Sequence, residues 1–170
     1  GTQTAGLAMG GRASSTTQTN VEEYDGTNWT SATAQPSGTY YAGSCGTQTA
    51  GLVFGNNPGS TSSYEYDGTN WTTGGTMTTP VGQNTGAGTQ TAALQAGGNP
   101  ASTNTQGYDG TAWSTRPSLS TGRHLAASSS QGTTSASIIF GGNPGPGYTN
   151  TTESFTGETT ANNIENFTTS

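Results

Sequence analysis

An eleven-residue phrase returns along this chain, and that return limits what it can fold into more than any other feature. GTQTAGLAMGG at 1–11 recurs as GTQTAGLVFGN at 46–56, as GTQTAALQAGG at 88–98 and, more loosely, as GTTSASIIFGG at 132–142, with starts 45, 42 and 44 residues apart. A second phrase follows each one: YDGTNW at 24–29 and 66–71, YDGTAW at 108–113, and FTGETT at 155–160. Self-similarity at this period marks an array of supersecondary units, each too small to bury a core alone. The units run over about 1–37, 38–79, 80–121 and 122–170 and form a single repeat domain. The last is an atypical cap, with Thr156 where Asp is expected and Thr160 where Trp is expected.

Each unit reads as short strands. Ala5, Leu7 and Met9 alternate with small or polar residues, the period of a strand, and the closing glycines permit a turn with positive φ. In the second unit that pair becomes Gly55-Asn56, and Asn is expected to keep the left-handed geometry. Tyr24 and Trp29 flank the tetrad Asp25-Gly26-Thr27-Asn28, a hairpin loop that would set the two rings opposite each other. The same holds for Tyr66, Asp67 and Trp71 and for Tyr108, Asp109 and Trp113. These nine residues are the repeat framework. The single Gly before TQTA is expected to join the first and second strands. Tyr40–Ser44 and His124–Ser128 supply an opening strand for their units, which the first unit lacks, and the tail 162–168 supplies a last one that pairs with the first unit. Only 26% of residues are hydrophobic, but charged residues are only 7% and three Trp, seven Tyr and four Phe are present, so the composition is that of an all-β domain rather than a disordered chain.

The strand, the glycine pair, Tyr-Asp and the Trp five residues beyond the Tyr resemble the kelch repeat. That resemblance implies a β-propeller of about four four-stranded blades. A β-solenoid or a trimeric β-fibre is the alternative architecture. The alternation of GTQTAGLxxGG with EYDGTxW is also similar to repeat-rich virion structural proteins of marine tailed phages, which implies a fibre or decoration protein, placed on a virion or otherwise outside the cell. The Asp-to-Trp spacing of DGTNW is one residue shorter than that of the sialidase Asp-box, which argues against that activity.

Charge and composition narrow the function. Three Arg, no Lys and nine acidic residues give a net charge of −6, which repels a phosphate backbone, so no nucleic acid partner is expected. No stretch approaches the ~18 apolar residues of a membrane helix, so no membrane partner is expected. One cysteine, Cys45, allows no internal disulfide, and one histidine, His124, cannot build a multi-histidine metal site. No metal or cofactor is expected. Gly1 in place of Met fits a processed chain or a portion of something longer. Outside the repeats the acids are Glu22, Glu23, Glu65, Glu153, Glu158 and Glu165, and no spacing pairs two of them for glycoside cleavage. A non-enzymatic structural or binding module follows. Its expected partners are a surface glycan or protein receptor and other virion proteins, and a homo-oligomer is one way to complete a larger ring. A secreted adhesin or lectin is the alternative, and a polysaccharide-acting enzyme is the third reading.

The copies also locate a face. In an up-and-down unit successive loops alternate between the two ends of the strands. The YDGTNW turn and the turn before TQTA share one end and barely vary. Loops 12–20, 57–63, 99–106 and 143–151 share the other end with Pro36–Gly38, Met77–Pro80 and Arg116–Gly122, and these diverge. Function resides in loops while the frame is held by packing. The candidate binding residues are therefore Arg12, Tyr40, Tyr41, Gln83, Arg116, Arg123, His124 and Tyr148. Trp29, Trp71 and Trp113 are assigned to packing between units, and the three Asp to turn-stabilising hydrogen bonds.

Overall fold

The structure is a computed structural model that describes residues 1–156 and the strand Ile164–Phe167. No helix forms among the described residues. The first unit contributes β1 (Gly6–Met9), the small hairpin β2 (Arg12–Ala13) and β3 (Thr16–Thr17), then β4 (Val21–Tyr24) and β5 (Trp29–Ser31). The second contributes β6 (Gly43–Thr47), β7 (Ala50–Phe54), β8 (Ser63–Tyr66) and β9 (Trp71–Thr73). The third contributes β10 (Thr85–Thr89), β11 (Ala92–Ala96), β12 (Thr105–Tyr108) and β13 (Trp113–Thr115), and the fourth β14 (Ala127–Ser128), β15 (Ser137–Phe140), β16 (Thr152–Phe155) and β17 (Ile164–Phe167). They form five small antiparallel sheets, none closed on itself: β1-β4-β5, the hairpin β2-β3, and three four-stranded meanders in chain order. β6 lies against β10 and β10 against β14, so the meanders stand side by side on their first strands.

The repeated turn forms as its residues demand. Asp25 Oδ1 accepts from the backbone N–H of Thr27 and of Asn28, both at 2.7 Å, and Asp67 and Asp109 make the same pair of bonds. Tyr24 then pairs with Trp29 across the ladder, Tyr66 with Trp71 and Tyr108 with Trp113, with ring centroids 5.1, 4.8 and 5.0 Å apart. Such pairs contribute about 0.5–1.5 kcal/mol beyond their buried area.

Four local expectations are corrected. Thr47 pairs with Ala50, so the first hairpin turns at Gln48-Thr49 rather than at the glycine before them. Gly46 instead sits just ahead of the turn at φ +96°, where an added Cβ would collide with the Ala50 carbonyl oxygen. Gly55 takes the left-handed conformation alone, at φ +67°. Asn56 serves through its side chain, accepting from the Tyr40 N–H at 2.9 Å and donating to the Gly38 carbonyl at 3.2 Å. The opening strands begin later than Tyr40 and His124, because Tyr41, Gln83 and Leu125 hold φ of +53°, +54° and +53° two residues before β6, β10 and β14, and a left-handed residue breaks an extended chain. β17 pairs with β16, its own neighbour in sequence, and not with the first sheet. Thr160, Glu158, Asn162, Asn163 and Thr168 lie outside the described residues.

Polar bonds between sheets repeat at the first two junctions. Gln48 Nε2 donates to the carbonyls of Gly6 and Tyr24, both at 3.0 Å, and Gln90 Nε2 donates to the equivalent carbonyls of Gly51 and Tyr66 at 3.0 and 2.9 Å. Tyr66 donates to Glu23 Oε1 at 2.7 Å, and Tyr108 to Glu65 in the same way. Burial, reinforced by the accepting carboxylate, raises both phenols to about 12. Between the second and third sheets Leu52, Phe54, Met77, Val81, Ala93, Tyr108 and Trp113 pack as one cluster, with Phe54 edge-on to Trp113 at 4.9 Å. Ala96, Leu119 and Ile139 form a smaller cluster between the third and fourth.

Two predictions follow from these bonds. Gln90→Ala strands two carbonyls at a sheet junction and should cost about 1–3 kcal/mol in a denaturant melt, whereas Tyr148→Ala, which changes a side chain 83% exposed, should stay within about 0.5 kcal/mol. The backbone bonds to Asp25, from Asn28 and then Thr27, hold its carboxyl below the ordinary value of 3.8, and Asp67 and Asp109 are held down in the same way. A depressed carboxyl stabilises the fold above its unfolded pKa and stops doing so as pH falls through the folded value. The melting temperature should therefore drop below about pH 4, and replacing all three Asp by Asn, which accepts the same bonds without titrating, should flatten that acid limb.

Candidate functional site

At one end of the strands the connections between units meet the connections within them. Gly11 N–H donates to the Thr39 carbonyl at 2.7 Å, Asn56 N–H to Val81 at 2.9 Å and Gly98 N–H to Arg123 at 2.8 Å, the same bond at three successive junctions. Asn57, Asn99 and Asn143 donate their N–H groups to the carbonyls of Tyr40, Gly82 and His124. The three left-handed residues are linked in series: Gln83 N–H donates to Tyr41 O at 2.7 Å and Leu125 N–H to Gln83 O at 2.9 Å. A bulky residue at positive φ costs on the order of 1–3 kcal/mol, and such strain concentrates where a side chain must be aimed.

On this frame four of the eight candidate residues come together. The guanidinium carbon of Arg12, on β2, stands 5.1 Å from the centroid of the Tyr40 ring, a cation–π contact, and the Tyr40 ring lies 5.5 Å from that of Tyr41. Asn57 Nδ2 donates to the Tyr40 hydroxyl at 2.7 Å, and Gln83 Nε2 donates to Asn57 Oδ1 at 3.1 Å. The run Arg12, Tyr40, Asn57, Gln83 is thus one connected polar and aromatic surface, with Tyr41 beside it 58% exposed. Beneath it lies an open groove of about 140 Å³ bordered by Met9, Thr39, Tyr40, Tyr41, Ser44 and Val53. That is less than the ~300–1,000 Å³ of a pocket that swallows a small molecule, so the groove suits part of a larger ligand laid across it.

The other four stand elsewhere. Arg123 is a correction: it is fully buried and ion-paired with Glu153, and its remaining donors reach the Gly141 and Thr151 carbonyls at 2.9 and 3.1 Å. Glu153 also accepts from the Ser120 N–H at 2.7 Å, so the pair pins the connection between the third and fourth units. Arg116 packs over its own sheet, where an added Cβ on Gly107 would collide with its side chain. His124 is half-buried and bridges Asn143 through its backbone. Tyr148 projects from the loop of the fourth unit. Asn57, which joins Tyr40 to Gln83, was not among the expected residues. Its signal was the Asn-Pro step repeated at 57–58, 99–100 and 143–144.

Among the described residues, two of the tryptophans and the cysteine are engaged in the frame. Trp113 is buried and donates to Ser63 Oγ at 3.3 Å, and Trp71 donates to the Thr33 carbonyl at 2.9 Å. Burial pushes the Cys45 thiol up to about 12, and it lies 3.5 Å from the Thr89 carbonyl. Such a thiol carries almost no thiolate at neutral pH. Among the described residues no group of three or more His, Cys, Asp and Glu side chains is placed to hold a metal ion.

The strain at Tyr41 gives the site its own test. Tyr41→Gly should stabilise the fold by about 1 kcal/mol, because glycine takes φ +53° without steric cost, while removing the most exposed ring of the cluster. A melt of this variant beside the parent measures it.

No family model matches the sequence, and no curated protein matches it. Among solved structures the chain is similar to YjhT, a kelch-like β-propeller, with a TM-score of 0.69 at 16% identity over 89% of this chain. The match covers 53% of YjhT, so this chain spans about half of that protein's length. At that identity the likeness speaks to the fold alone, an all-β arrangement of the propeller type.

Proposed function

We propose that the chain is a non-enzymatic binding module. Its four repeat units are blades of a kelch-like β-propeller, the first without an opening strand of its own, and its loop end takes a surface glycan. The observation that carries this is the connected surface of Arg12, Tyr40, Tyr41, Asn57 and Gln83. Tyrosine faces stack on the C–H faces of a sugar ring, and the amides and the guanidinium supply donors and acceptors for its hydroxyls. A shallow groove with an exposed ring at its lip fits a polysaccharide better than a free metabolite.

The acids favour binding over catalysis. Glu23 and Glu65 accept from the tyrosines of the next unit, Glu153 is paired with Arg123, and the three Asp hold hairpin turns. A lectin built from identical blades would repeat its sugar site. Here the positions of Tyr40 become Gly82 and His124, and those of Tyr41 become Gln83 and Leu125, which supports one site rather than a ring of them. With the likeness of the repeat wording to virion proteins and a surface without Lys, the reading places the module on an extracellular particle, as a fibre or decoration protein among other virion proteins.

A panel of immobilised bacterial surface polysaccharides tests it. The chain should be retained on at least one, with Tyr41→Ala and Arg12→Ala each weakening retention about tenfold and Tyr148→Ala leaving it unchanged. Retention on none, or retention indifferent to both substitutions, would overturn the proposal.

A further inference from the structure

Three side chains stand in file along the loop end. Tyr41, Gln83 and Leu125 hold φ of +53°, +54° and +53°, each two residues before the first strand of its meander, β6, β10 or β14. The same backbone angle at the same place in the repeat aims each side chain the same way from its own unit. The spacing is fixed as well, because Gln83 N–H donates to the Tyr41 carbonyl at 2.7 Å and Leu125 N–H to the Gln83 carbonyl at 2.9 Å. Chains joined by such bonds run about 4.8 Å apart, so the file covers roughly 10 Å from Tyr41 to Leu125 in two equal steps. Both bonds lie at junctions with a sheet on either side, so the step is a property of the array and not of its flanks. Tyr41 and Leu125 are 58% and 45% exposed, and Gln83 between them is half-buried.

We infer that this file is a track for an extended polysaccharide, with a sugar residue at each left-handed position. The inference rests on the glycan reading and gives that site a length. A step of about 4.8 Å is close to the advance of one pyranose ring along an extended sugar chain, so consecutive rings fall in register with consecutive units. An extended peptide presents side chains to one face every ~6.6 Å and runs out of register with the same file. The chemistry along the file suits sugar rings. At the first position the Tyr41 ring offers a face for stacking, and Tyr40 beside it carries Arg12 over its own ring. At the second, the Gln83 carboxamide is oriented by its bond to Asn57 Oδ1 at 3.1 Å. It keeps its carbonyl oxygen and its second amide proton for ring hydroxyls. At the third, Leu125 offers an apolar contact, and His124 holds the place beside it that Tyr40 holds beside Tyr41. The groove of about 140 Å³ under Tyr40 and Tyr41 is then the first subsite of a longer one.

Chain-length dependence tests it. The polysaccharide retained in the panel, cut by partial acid hydrolysis and fractionated by size, supplies di-, tri- and tetrasaccharide probes whose binding is titrated by ligand-observed NMR. Affinity for the parent chain should climb from the disaccharide to the trisaccharide and level off there, a result that needs no variant. Leu125→Gly removes the third side chain and relieves its backbone, so the variant keeps its fold. It should weaken the trisaccharide about tenfold and leave the disaccharide unchanged, whereas Tyr41→Ala should weaken both. Equal affinity for the two lengths, a Leu125→Gly variant that binds the trisaccharide as the parent does, or an equal loss at both lengths would each sink the track. If Tyr41→Ala still weakens binding in those cases, the site around Tyr40 and Tyr41 stands without it. A panel that retains nothing overturns both readings together.

Discussion

The glutamines of the second and third GTQTA phrases, Gln48 and Gln90, each tie their sheet to the one before. Gln48 and Gln90 each reach backward to two carbonyls of the previous unit, one on its second strand and one at the end of its third. An isolated three- or four-stranded sheet with this few apolar residues would not bury enough surface to hold its shape. The side-chain amide answers that shortage by satisfying backbone groups at the junction, where an unpaired carbonyl would be costly. Tyr66 and Tyr108 add a second tie at the same junctions, each donating to the glutamate that precedes the turn-opening tyrosine of the previous unit. A chain with 26% hydrophobic residues can therefore fold because its thin apolar layers are framed by directional bonds, which recur in the same form at the first two junctions.

The last junction shows what happens when the device is lost. Thr134 stands at the glutamine position, Phe155 at the tyrosine position, and Gly107 at the position of Glu23 and Glu65. Donor and acceptor have disappeared together, which leaves no orphaned phenol and no orphaned carboxylate. In their place Thr85 donates to Ser128 at 2.9 Å, Ser128 donates to the Gly86 carbonyl at 2.7 Å, and the Arg123–Glu153 pair fastens the incoming loop. Gln106 does the same work one unit earlier, accepting from the Thr78 N–H at 2.8 Å. A charged pair thus replaces a neutral amide at the repeat position of Gln106. A buried ion pair is tolerated only when its other lone pairs and protons are satisfied, and here the Ser120 N–H and the Gly141 and Thr151 carbonyls satisfy them.

What could be read in the sequence was whatever the repeat enforced in several copies. The Asp turns, the Tyr–Trp pairs and the meander order depend on contacts within a unit, so recurrence at a fixed offset is enough to reveal them. What depends on one copy alone stayed hidden. Arg123 reads as a loop cation because charged side chains are seldom fully buried unless paired, and its partner lies thirty residues away with no spacing to announce it. The late start of the opening strands was hidden for a different reason. Tyr41, Gln83 and Leu125 share a backbone conformation but no side-chain chemistry, and nothing in the residue types signals a left-handed turn. Asn57 was visible as part of a repeated Asn-Pro step, but its bond to Tyr40 exists only because that ring stands in the second unit alone.

That last contrast separates frame from site. The three left-handed positions carry the same strain and the same N–H to carbonyl relay, so the backbone at the loop end is as repetitive as the sheets beneath it. Only the side chains mounted on it differ: two adjacent tyrosines at the second unit, glycine and glutamine at the third, histidine and leucine at the fourth. The backbone strain is therefore common to all three junctions and cannot by itself mark function. The departure from repetition marks it, and it is greatest where Arg12, from a small hairpin found in the first unit, leans over Tyr40. A frame that repeats its strain but varies its side chains can present a different surface at each junction without altering the bonds that hold the sheets together.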